Sequence, residues 1–108
     1  MAERMINGTK VRYHELFQTW HICDAKSFPS ENALCDAMLE VMEVLVDENP
    51  ISNIPGRQLE LMAMYEDGLR ITMFGHQFIQ MDKATYKAFA LRLAKEDLLR
   101  RKRLCGHI

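Results

Sequence analysis

The chain has 108 residues, 48% of them apolar and 27% charged, with a formal net charge of −1. It is therefore too apolar for a disordered chain, and long enough to bury a core without disulfides or metal. No run of ~18 apolar residues occurs, which excludes a helical membrane span. Three cysteines, Cys23, Cys35 and Cys105, are an odd and widely spaced set. They read as reduced thiols rather than a disulfide framework. With no signal-peptide pattern at Met1–Gly8, one cytoplasmic domain spanning 1–108 is expected.

Residues 1–8 are expected to fray, with Asn7-Gly8 as a turn. From Lys10 onward, Tyr13, Leu16, Phe17 and Trp20 recur at helical spacing, which predicts a first helix ending near Asp24–Lys26. Phe28-Pro29 breaks it. Ser27 or Ser30 caps a second helix, whose apolar stripe is Leu34, Met38, Val41, Met42 and Leu45, widened by Cys35, Leu39 and Val46. Asn49-Pro50 stops that helix, and Ile51–Arg57 reads as a loop.

Alternation resumes at Leu59, Leu61, Ala63 and Tyr65, and again at Leu69, Ile71 and Met73. Asp67-Gly68 between the two runs is a strong hairpin signal, because glycine accepts the positive φ of a primed turn. Gly75-His76 predicts a second reversal into a strand at Gln77–Met81. Asp82 then caps a last helix carrying Tyr86, Phe89, Ala90, Leu93, Ala94 and Leu98, which runs to about Arg100 or beyond, with 104–108 frayed. The expected fold is α+β: a three-stranded antiparallel β-meander packed with α-helices, in the order α-α-β-β-β-α. The first strand carries apolar groups on both sides, since Met62 and Met64 alternate with Leu61 and Ala63. The sheet also has two edges to protect, so a homodimer is expected.

Charge is segregated along the chain. Residues 27–56 hold six acids (Glu31, Asp36, Glu40, Glu43, Asp47, Glu48) and no Lys or Arg, whereas residues 82–108 hold eight bases against three acids. Candidate partner-binding residues are therefore the basic run Arg100, Arg101, Lys102 and Arg103 with Lys95, and the acidic face of Glu40, Glu43 and Asp47. Acidic residues of one copy meeting basic residues of another, or of a different protein, would set encounter rate and specificity.

No catalytic constellation is visible. His14, His21, His76 and His107 do not sit in a recognisable catalytic context, although His14 and His21 lie near Cys23, and no Gly-rich phosphate loop or metalloprotease motif occurs. The mirrored pairs His21-Ile-Cys23 and Cys105-Gly-His107 would offer a tetrahedral zinc set if they met, but their one-residue spacing is tighter than usual for paired ligands. No metal and no cofactor are expected. The reading is a small non-catalytic interaction module (adaptor, regulator or inhibitor) that binds another macromolecule, with a protein partner of unnamed identity. The alternative is DNA or RNA binding through the basic C-terminal helix, whose phosphate contacts would be salt-dependent. A third class is a small-molecule or nucleotide binder at a subunit interface.

Overall fold

A computed structural model describes residues 2–49 and 59–105. It is α+β, with a five-stranded mixed sheet in the order β1-β2-β3-β4-β5. The strands are β1 (Ala2–Ile6), β2 (Thr9–His14), β3 (Thr19–Ile22), β4 (Glu60–Met64) and β5 (Arg70–Phe74). The helices are α1 (Glu31–Glu48), α2 (Gly75–Gln80) and α3 (Lys83–Cys105). Neighbouring strands are antiparallel except β3 and β4, which are parallel and joined through α1. A parallel connection needs a crossover of this kind, because a tight turn returns the chain antiparallel.

The expected three-stranded meander in the order α-α-β-β-β-α is thus incorrect. Where a frayed start was expected, Ala2–Ile6 pairs along its whole length with β2. Asn7 (φ 49°) and Gly8 (φ 81°) form the link, with positive φ at both central positions as a type I′ turn requires. Where the first helix was expected, β2 and β3 form a second hairpin. Tyr13 lies directly opposite Trp20 in its register, ring centroids 5.2 Å apart, while Leu16 and Phe17 stand at the tip. Two residues placed symmetrically about a hairpin tip, seven apart, imitate the spacing of two turns of helix.

The third expected strand, Gln77–Met81, is also incorrect: Gly75–Gln80 is α2. The reason lies at the end of β5. Tyr86 Oη accepts a hydrogen bond from the Phe74 N–H (2.6 Å) and donates one to the Phe74 carbonyl (2.9 Å). Both backbone groups of Phe74 are thereby satisfied by a side chain of α3 instead of by a further strand. Phe78 of α2 then stacks edge-on against the Tyr86 ring at 5.7 Å.

The remaining elements lie close to expectation. The β4–β5 hairpin turns at Asp67 (φ 62°) and Gly68 (φ 75°). Ser30, one of the two caps considered, accepts the Ala33 N–H at 3.1 Å and opens α1. Asp82 opens α3 by accepting the Thr85 N–H at 3.0 Å and the Thr85 hydroxyl at 2.6 Å.

The core lies between one face of the sheet and the helices. Val11, Leu61, Ile71 and Met73 from the strands meet Leu34, Cys35, Met38, Val41, Met42 and Leu45 from α1, all fully buried. From α3 come Tyr86, a large buried side chain, and Ala90 and Ala94, whose small side chains let that helix approach closely. The stripe on α1 is broad because it serves the sheet and α3 together. The bidentate pair from Arg4 to Glu48, at 2.6 and 2.8 Å, ties β1 to the last turn of α1.

Candidate functional site

Among the described residues, the opposite face of the sheet carries no helix. The alternation that turns Val11, Ile22, Leu61, Ile71 and Met73 toward the core turns the other set outward. Across the sheet this set is Glu3 and Met5, then Lys10, Arg12 and His14, then Thr19 and His21. It continues with Glu60, Met62 and Met64, and ends with Arg70, Thr72 and Phe74. Met5 is 62% exposed and Met64 43%. At one end of this face the β2–β3 tip holds Leu16 (85% exposed) and Phe17 (67%), the loop shaped by the Thr19 hydroxyl donating to the Phe17 carbonyl at 2.9 Å. Adjacent large apolar residues this bare are uncommon on a surface that meets only water.

Lys10, Arg12 and Arg70 on the face are each paired within the chain. Glu3 takes Arg12 at 2.6 Å and Lys10 at 3.3 Å, and these two partners, Arg12 foremost, hold its carboxyl below the usual range. Arg70 reaches Asp97 at 3.2 Å. The face is therefore polar and apolar in alternation, without a row of free positive charge.

In the middle lie two imidazoles. The His14 and His21 rings are 4.7 Å apart, and His14 also meets the Phe17 ring at 5.8 Å. Burial, then the neighbouring His14 and Arg12, push the His21 pKa down, so its ring stays neutral at pH 7. Stability from this group is present above the ordinary pKa of ~6.5 and falls as pH drops through the folded value. His21 Nε2 is buried without a hydrogen-bond partner. Beside it opens a hollow of about 760 Å³, lined by His21, Ile22, Asp24, Ala25, Lys26, Ser27, Met62 and Met64.

The residues singled out from the sequence sit elsewhere, on α1 and α3. Three ion pairs join these antiparallel helices: Glu31 with Lys95 (3.2 Å), Asp36 with Lys87 (2.6 Å), and Glu43 with Lys83. The complementarity of acidic and basic helices is thus used inside one chain, and Glu43 and Lys95 belong to it. Glu40 and Asp47 have no ion-pair partner among the described residues. In the basic run, Arg100 and Arg101 both hold Asp97, at 2.8 and 3.0 Å, and Arg101 also donates to the Gly68 carbonyl at 2.8 Å. Asp97 lies below the usual carboxylate range, chiefly through the Arg100 hydrogen bond, and anchors α3 to the β4–β5 turn. Lys102 and Arg103 are exposed in the last turn of α3.

Of the mirrored zinc pairs, His107 lies outside the described residues. Among the described residues no three His, Cys, Asp or Glu side chains converge as a metal site. Burial pushes the Cys35 thiol up to about 11, which makes it a core residue rather than a nucleophile. The outward set on the sheet was missed in the sequence because β2 and β3 were read as helix. The signal that locates it is the alternation of Thr9, Val11 and Tyr13 with Lys10, Arg12 and His14, directly after Asn-Gly. No helix among the described residues is long and apolar enough to cross a membrane. Comparison with known protein families, curated proteins and solved structures gives no match.

Proposed function

We propose that the chain is a small non-catalytic interaction module that works as a homodimer, two copies packing the uncovered faces of their sheets together. The observation that carries this reading is the sheet covered, among the described residues, by helices on one side only, whose other side bears Met5, Met62, Met64 and Phe74 among cations paired within the chain. Identical faces repel if they carry net charge, and Glu3 reduces that obstacle by pairing with Lys10 and Arg12, which leaves one positive charge of the three groups uncompensated. Methionine suits such a contact because its flexible thioether fills irregular gaps.

Five strands ~4.8 Å apart and about five residues long present roughly 400 Å² in projection. Side-chain relief and the Leu16–Phe17 tip enlarge this toward the lower end of the ~1,200–2,000 Å² total that stable interfaces bury. Sheet-on-sheet packing of this kind is the arrangement of a β-sandwich. A module so built presents the helical side of each copy, with Glu40, Asp47, Lys102 and Arg103, to a further protein partner.

Sedimentation velocity over a range of concentrations tests the reading. A dimer that dissociates when Met5→Glu and Phe17→Glu are combined supports it. A monomer at every concentration up to submillimolar, or a dimer indifferent to both substitutions, overturns it.

A further inference from the structure

We infer that in the homodimer proposed above, on which this inference rests, the Leu16–Phe17 tip of each copy docks in the other copy's hollow, between residues 24–27 and the outward methionines of β4. Both features lie on the uncovered side of the sheet. The walls of the hollow include His21, Met62 and Met64, which alternation turns outward. The Phe17 ring meets that of His14, another outward residue, at 5.8 Å.

Their placement suits a two-fold dimer. β3 connects them: Thr19 at its start follows the tip, and Ile22 at its end lines the hollow. His21 is the register partner of Met62, so Met64 lies level with Cys23. From Phe17 to Cys23 the chain advances roughly 20 Å at ~3.3 Å per residue, with Trp20 and His21 near the midpoint. A two-fold axis that runs between the faces and crosses β3 there turns the second copy's β3 antiparallel to the first. Each tip then lies over the other copy's hollow. The two contacts form together, because an isologous interface repeats every contact. An axis along β3 would instead set tip against tip and leave both hollows unfilled.

The surfaces also match in chemistry. Leu16 and Phe17 are bare apolar groups, and the hollow offers Ile22, Ala25, Met62 and Met64 around a volume of about 760 Å³. Sites that enclose drug-sized groups span ~300–1,000 Å³, so two side chains fit, and flexible thioethers adapt to their shape. Glu15 on the tip and Lys26 on the wall of the hollow are both exposed. Neither has an ion-pair partner among the described residues. Docking brings these opposite charges together twice per dimer, and it adds the area that the flat part of the face lacks for a stable interface.

Full chains in two isotope forms test the docking. One copy is deuterated except for carbon-13-labelled methionine methyls, and the other carries protons only on phenylalanine, so a nuclear Overhauser effect between them crosses the interface. Effects from the Phe17 ring to the Met62 and Met64 methyls are expected, assigned by their loss in Phe17→Leu. Sedimentation velocity supplies a second readout. Glu15→Lys and Lys26→Glu are each expected to weaken self-association by about tenfold, since both contacts in the dimer become repulsive. An equimolar mixture of the two variants should associate as tightly as the unaltered chain, because each tip then meets a hollow of opposite charge. Amide spectra of the variants confirm the fold. A dimer without cross-chain effects at Met62 and Met64, or a mixture as weak as the single variants, overturns the docking and leaves the homodimer standing. A chain that stays monomeric up to submillimolar concentration overturns the homodimer and the docking with it.

Discussion

Tyr86 concentrates several kinds of physical chemistry in one side chain. It is 1% exposed, and its hydroxyl both accepts from and donates to the backbone of Phe74. Removing that oxygen leaves a part-buried N–H and carbonyl without partners at the end of β5, which costs ~1–3 kcal/mol. Tyr86→Phe is therefore expected to lower the unfolding free energy by that much, read as a lower urea midpoint with little change in slope. Burial also pushes the phenol up to about 12, despite the opposing Phe74 hydrogen bond. Its folded pKa exceeds the unfolded value of ~10, so the stability it contributes is full below pH 10 and is lost as pH rises toward 12. Denaturation series across that window should show a decline that Tyr86→Phe lacks. An equal decline in the variant would assign the loss to another group.

At the scale of elements, α1 and α3 are held by packing and trimmed by charge. The Glu31–Lys95, Asp36–Lys87 and Glu43–Lys83 pairs bridge the two antiparallel helices along their length, one acidic and the other basic. Each pair is largely exposed and contributes ~0–1 kcal/mol. Reversing the three acids to lysine should destabilise the chain by about 1–3 kcal/mol, an effect reduced by salt. Reversing Lys83, Lys87 and Lys95 to glutamate as well should restore most of the loss. Thermal melts of the four charge combinations decide this, and additivity of the two triple changes would disprove the coupling.

The two helices were legible in the sequence because period, cap and stop signals agree there. So was the β4–β5 hairpin, through Asp67-Gly68 between alternating runs. The first hairpins were not: Tyr13, Leu16, Phe17 and Trp20 match a helical face as well as a hairpin with its tip at 16–17. Only the preceding Asn-Gly breaks that tie. The uncovered face was half legible, since Met62 and Met64 stood out as apolar groups on a strand's second side. Its other members became visible only once β2 and β3 were known to be strands. Segregated charge was legible as complementarity, but sequence carries no mark of whether the complement lies in the same chain.

At the scale of the whole molecule, the sheet is made of two hairpin systems that meet at one narrow seam. β3 and β4 pair at only two positions, Trp20 with Leu61 and His21 with Met62, whereas β4 and β5 pair at five. Two backbone pairs do not make one cooperative unit out of a meander and a hairpin. What joins them is α1, whose side chains lie under both: it reaches β1 through Arg4–Glu48 and meets Leu61, Ile71 and Met73 in the shared core. Leu34 is fully buried in the first turns of that helix. Leu34→Ala is expected to cost ~2–5 kcal/mol, the sum of lost transfer energy and a residual cavity. Because the core is common, amide exchange in β2 and in β5 should lose protection by the same amount, as for one cooperative transition. Loss confined to the meander, with β4 and β5 still protected, would show instead that the seam divides the molecule into two folding units and that α1 belongs to only one of them.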